Sequence, residues 1–153
     1  MSNSIFLIRR IQDLLDKNKH SENFYTHATD LVDEYDELKS YFKQQAILRG
    51  KFSLELMALL RYVGVETANS DGTVTVLKRA LLQLIDSFKY HDCSELLAQS
   101  LDQDAQNIKE YKSILRVHPI PHKIEHLLRV QMGLIENRMG EATGLINLHQ
   151  SEI

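Results

Sequence analysis

The sequence predicts an all-α protein, an antiparallel four-helix bundle, on three observations. The 153 residues hold two prolines, Pro119 and Pro121, both in one short connection, so no proline interrupts the long segments on either side. Along four such segments apolar residues recur at spacings of three and four, the signature of a helix that buries one face. These segments form two hairpins, 4–63 and 92–149, separated by a long crossover, which is the connectivity of a bundle with one long connection. One domain over 1–153 is expected, large enough to bury roughly 70% of its unfolded surface.

The first helix starts at Ser4, a suitable N-cap, and runs toward Ala28. Its seam reads Ile8, Ile11, Leu15, Asn18, Glu22 and Tyr25. The polar run Lys17-Asn18-Lys19-His20-Ser21 leaves open whether this is one helix or two shorter ones. An acidic turn, Asp30 to Asp36, leads into the second helix, expected from about Asp33 to Val63. There Leu38, Phe42, Gln45, Arg49, Phe52, Leu56, Leu59 and Val63 share one face. Gly50 weakens helix propensity locally by ~1 kcal/mol, yet the pattern continues past it to Gly64, a helix stop.

Glu66 to Gly72 reads as a loop, after which Thr73 caps a crossover helix carrying Val74, Leu77, Leu81, Leu84, Ile85 and Phe88. The third main helix begins near Asp92, with Ser94 as a cap, and aligns Leu97, Leu101, Asp104, Ile108, Tyr111 and Leu115. His118-Pro119-Ile120-Pro121 ends it. Pro121 then opens the fourth main helix at the position proline tolerates best. That helix runs to His149 with Ile124, Leu128, Gln131, Ile135, Arg138, Ala142 and Leu145 on its seam.

Of the polar residues on these seams, Glu22, Gln45, Arg49, Asp104, Gln131 and Arg138 are expected to form a buried polar layer. A buried guanidinium needs a carboxylate, because an unpaired interior charge costs more than one side chain's packing supplies. The expectation is that Arg138 is buried and balanced by Asp104 or Asp102 together with Glu22. Two alternatives stand beside it. Arg138 extends to solvent from a boundary position, or Glu22, Glu55, Asp104 and Glu136 frame a remnant metal or substrate pocket.

The rest of the composition narrows the function. Eighteen basic against twenty-one acidic residues give a net charge of −3, which offers no basic field for nucleic acid. The lone Cys93 forms no internal disulfide, as in a reducing compartment. Ile5-Phe6-Leu7-Ile8 precedes Arg9-Arg10, the reverse of a secretory signal, and no apolar run reaches ~18 residues. A cytoplasmic location without membrane association follows as the expectation. No glycine pattern cradles phosphate, no motif activates Cys93, and no catalytic residue is assigned, so an enzyme is not expected.

Two further residue sets invite a ligand. His122 and His126 are spaced to share Zn²⁺ or Ni²⁺ on one helical face, with His118 across the turn; the plainer reading is exposed histidines at a helix start. The six tyrosines are expected to pack their rings and keep their hydroxyls at the rim. Metal sites of carboxylate-bridged bundles use Glu-x-x-His on two helices. Here the residues three before each histidine are Lys17, Phe24, Phe88, Leu115, Pro119, Lys123 and Ile146, so the motif does not occur.

Over about His20 to Asn147 one order of landmarks stands out. It comprises Glu22-Asn23-Phe24-Tyr25, Tyr41-Phe42, Phe52 with Glu55-Leu56, Val63-Gly64, Gly72-Thr73-Val74, Tyr111 and Gln131. In that order and spacing the chain resembles a ferritin-like family of uncharacterised bacterial four-helix-bundle proteins. The resemblance implies a ferritin-like fold and, for typical members, iron or manganese binding or oxidoreductase chemistry. Two departures mark a degenerate member. The family's acidic run before the third-helix Tyr is diluted here to Gln99-Ser100-Leu101-Asp102-Gln103-Asp104, and Arg138 stands where a His follows the fourth-helix Gln.

The functional expectation is a non-catalytic interaction or structural module without metal or cofactor. It would pair with a second copy or another protein through Leu54-Met57-Ala58 or Leu81-Leu82-Ile85. An iron- or manganese-binding oxidoreductase and a small-ligand sensor are the alternatives.

Overall fold

In the first segment Leu7, Ile11, Leu14, Leu15, Asn18, Ser21, Phe24, Tyr25, Ala28 and Val32 are all buried, an unbroken inward stripe at helical spacing. The chain keeps that stripe buried by remaining one helix, α1, from Ser2 to Leu31. No break occurs at Lys17–Ser21, because Asn18 and Ser21 belong to the inward face and only their neighbours reach toward water. The computed structural model describes residues 2–32, 35–64, 93–117 and 119–151. The expected crossover helix, Tyr90 and His118 lie outside the described residues.

Helix α2 spans Asp36–Tyr62, α3 Cys93–Leu115 and α4 His122–Ser151; the described residues contain no strand. Asp36 and Glu37 in the first turn of α2 and Arg61 in its last complement the helix dipole. Gly64 ends that helix with φ +86°, a left-handed conformation that costs glycine nothing. Its amide donates to the Arg61 carbonyl at 3.0 Å. Val63, expected on the seam, is instead the C-cap and 40% exposed, since the chain leaves the helix there.

Helix α1 packs mainly on α2 and α3 on α4, while α1 also meets α3 and α2 meets α4. The diagonals of the bundle are therefore α1 to α4 and α2 to α3. Tyr25 bonds Asp104 and Asn18 bonds Tyr111, so α1 and α3 run antiparallel. Tyr41 bonds Arg138 and Gln131 bonds Phe52, which sets α2 against α4 in the same way. The α2 and α3 directions then agree, and Gly64 and Cys93 fall at opposite ends of the bundle.

The apolar core comes in two parts. At one end Leu7, Ile11 and Leu14 meet Phe52, Leu56 and Leu60, Ile108 and Ile114, and Ile124 and Leu128. At the other, Phe24, Ala28 and Val32 meet Leu38, Phe42, Leu96, Leu97 and Ala142. Between them, in chain order on three helices, lie the buried polar residues Asn18 and Ser21, Gln45 and Arg49, and Ser100, Asp104 and Asn107. That polar band is where the site sits. Among the described residues no helix is long and apolar enough to cross a membrane.

Candidate functional site

Arg49 projects from the middle of α2 into the bundle and is completely buried. Its charge is met by Asp104 of α3, itself 0% exposed, with Arg49 Nη2 donating to Asp104 Oδ1 at 2.7 Å. Charge-assisted bonds of this kind are about twice as strong as neutral ones. The second nitrogen, Nη1, donates to Asn18 Oδ1 of α1 at 2.8 Å. The other carboxylate oxygen, Asp104 Oδ2, accepts from the Tyr25 hydroxyl of α1 at 2.7 Å.

The chain of bonds continues beyond this pair. Asn18 Nδ2 donates to the Leu14 carbonyl at 3.0 Å and to the Tyr111 hydroxyl at 3.2 Å. Tyr111 donates in turn to Gln131 Oε1 of α4 at 2.7 Å. Gln131 Nε2 reaches Glu55 Oε1 of α2 at 3.2 Å. The network thus passes from α2 to α1, α3 and α4 and returns to α2. One further bond, Asn107 Nδ2 to Ser21 Oγ at 3.0 Å, ties α3 to α1 inside the same band.

Burial governs the electrostatics. It pushes the Asp104 carboxyl above the usual carboxylate range, while Arg49 and the Tyr25 hydrogen bond pull the other way. Desolvation, followed by the neighbouring Asp104 charge, holds the Tyr25 phenol well above its ordinary value. Tyr111 is pushed up to about 12, chiefly by burial. Among the described residues, the buried atoms without a hydrogen-bond partner include Arg49 Nε and both amide atoms of Gln45, one turn earlier on the same face.

The predicted site residues separate on this geometry. Gln45, Arg49, Asp104 and Gln131 are all fully buried, and the last three share the network. Arg138 is not the central cation. Its side chain is 32% exposed and pairs with Glu141 on its own helix at 3.0 Å; only its backbone carbonyl faces inward, accepting from Tyr41 at 3.2 Å. The reason is charge balance. One interior carboxylate neutralises one guanidinium, and the bundle buries Arg49 while leaving Arg138 at the rim.

Glu22, expected as an Arg138 partner, lies half-buried on the outer side of α1 against Gly50, where a Cβ would fall on its carboxylate oxygen. Asp102 and Glu136 are exposed, and so are His122 and His126. The tyrosine expectation also fails in part, because the Tyr25 and Tyr111 hydroxyls are interior groups that hold the network together. Asn18, Tyr25 and Tyr111 were not among the expected site residues. The signal for them was spacing: Tyr25 follows Asn18 by seven residues and Tyr111 follows Asp104 by seven, so each pair lines one helical face.

A metal does not fit this donor set. Both Asp104 oxygens are already engaged by donors, and a cation placed beside them would face the Arg49 guanidinium. Among the described residues no three His, Cys, Asp or Glu side chains group in a way that could hold an ion.

The fold and site define an all-α four-helix bundle whose interior is crossed by a closed polar network. A family model, the domain of unknown function DUF2383, matches residues 7–117, and the chain belongs to that family. The match takes in Asn18, Tyr25, Arg49, Asp104 and Tyr111. No curated protein and no solved structure matches the chain.

Proposed function

We propose that this protein is a non-catalytic, protein-interacting member of the ferritin-like bundles, with an Arg–carboxylate layer at the position where such bundles hold a metal. The observation that carries the reading is the fully buried Arg49–Asp104 pair, whose cation is supplied by the chain itself. Two hairpins joined by a long connection suit the ferritin-like assignment. A buried pair of this kind contributes more to helix register than to net stability, a property suited to a rigid scaffold that presents a surface.

The surface in question is the outer face of α2. Ile47 is 66% and Leu54 67% exposed, Ala58 lies beside them in the open, and Met57 is half-buried. Contiguous exposed apolar side chains on a helix mark a docking face. Elemental analysis of the purified chain tests the reading. The expected result is no stoichiometric iron or manganese, and a metal bound at one or two ions per chain would overturn it.

A further inference from the structure

The outer face of α2 borders a groove of about 710 Å³ between α1 and α2, lined by Lys19, Glu22, Asn23, Gly50, Lys51 and Leu54 among others. Because Gly50 has no side chain, the Glu22 carboxylate lies against the α2 backbone there, in the space a Cβ would take. Among the described residues the half-buried Glu22 carboxylate has no hydrogen-bond or ion-pair partner, whereas the half-buried Glu55 and Glu110 carboxylates each have one. On the opposite wall Lys51 is exposed and likewise has no ion-pair partner among the described residues. Acid, base, recess and apolar knob thus sit on one continuous patch.

A patch that carries both halves of each complementary pair meets the requirement for an isologous interface, in which the same surface serves both partners. Resting on the interaction reading above, we infer that the α1/α2 groove docks a second copy of this chain about a twofold axis. Leu54 of each copy enters the other's groove, and each Lys51 ammonium meets the other copy's Glu22 carboxylate. Ile47, seven residues before Leu54 on the same stripe, extends the apolar contact along the helix. The unlike charges set the register, and the apolar stripe supplies the burial.

Sedimentation velocity on the full chain from low to high micromolar concentration tests this. The wild type is expected to shift from monomer to dimer, and Leu54→Asp to remain monomeric with an unchanged circular-dichroism melt. Glu22→Lys and Lys51→Glu should each weaken association by about tenfold, and the double swap should recover most of that loss. Because Glu22 packs on Gly50, Glu22→Gln and a melting curve for each variant separate lost pairing from lost fold. A chain that stays monomeric throughout overturns the second copy as occupant and leaves the interaction reading to be met by a different protein. A dimer indifferent to Leu54→Asp, or a double swap without recovery, also overturns it. Stoichiometric metal would instead strike the reading beneath and leave the dimer standing.

Discussion

Arg49 and Asp104 meet at 2.7 Å across a diagonal of the bundle, joining α2 to α3, two helices that are not neighbours around the core. An arginine can span that distance; a shorter cation could not bridge it and also reach Asn18. The pair forms in one relative placement of the helices only. It therefore adds a directional constraint on helix register between the two apolar clusters, whose own contacts are non-directional.

The central cation can be identified by substitution. Arg49→Met strands the Asp104 carboxylate among apolar groups and removes a partner of Asn18, so a loss of about 3–5 kcal/mol is expected in urea unfolding. Arg138→Met removes only a partly exposed pair with Glu141 and should cost less than about 1 kcal/mol. The double variant Arg49→Met/Asp104→Leu should recover much of the first loss, because no charge is then left alone. Equal costs for the two arginines would show that the interior charge has been placed on the wrong helix.

Gln45 gives a prediction of the opposite sign. Its amide is fully buried with neither atom bonded, a desolvation cost of about 1–3 kcal/mol without return. Gln45→Met keeps the shape and removes the polar atoms. Its urea midpoint is expected to rise by the equivalent of about 1 kcal/mol. A fall in the midpoint would mean that the amide contributes through bonds absent from this geometry.

The buried phenols make alkaline unfolding distinctive. Tyr25, Tyr41 and Tyr111 are all raised by desolvation, with Tyr111 at about 12. A folded value above the unfolded value of about 10 means that the fold favours the neutral phenol. That contribution is intact below pH 10 and is lost as pH climbs through the folded values. Tyrosinate absorbance should therefore report these three residues only together with the loss of helical circular dichroism. Their full ionisation before any loss of helix would contradict their burial.

Most of the fold could be read from residue spacing, because apolar periodicity reports which face each helix buries and Gly64 marks where α2 stops. The polar band was legible in part. Gln45, Arg49, Asp104 and Gln131 are conspicuous on apolar seams and are buried. Glu22 and Arg138 are as conspicuous and lie outside the band, and the buried Asn18 was not expected in it. The wiring of the band was not legible. Arg49 and Arg138 occupy equivalent-looking seam positions, and spacing alone does not reveal which of them shares a level with Asp104. On α4 the inward line runs from Ile135 to Ala142, so Arg138 and Met139 straddle it, both half-buried. The Tyr25 and Tyr111 hydroxyls escaped for a related reason. A ring on a seam is compatible with a buried or a rim hydroxyl until the facing helix supplies an acceptor.

The bond that brings α4 into the network can be isolated. The Tyr111 hydroxyl accepts from Asn18 Nδ2 and donates to Gln131 Oε1, so it is the link between α1 and α4. Tyr111→Phe leaves Asn18 its bond to the Leu14 carbonyl but deprives Gln131 Oε1 of its donor. The expected cost is about 1–3 kcal/mol, the penalty of a buried acceptor left unpaired. Gln131→Leu removes that acceptor and leaves the phenol without a target. Combined, the two substitutions should cost less than their sum, by a coupling of about 1 kcal/mol. Strict additivity in the double-mutant cycle would mean that the α4 contact is packing alone and that the network ends at Tyr111.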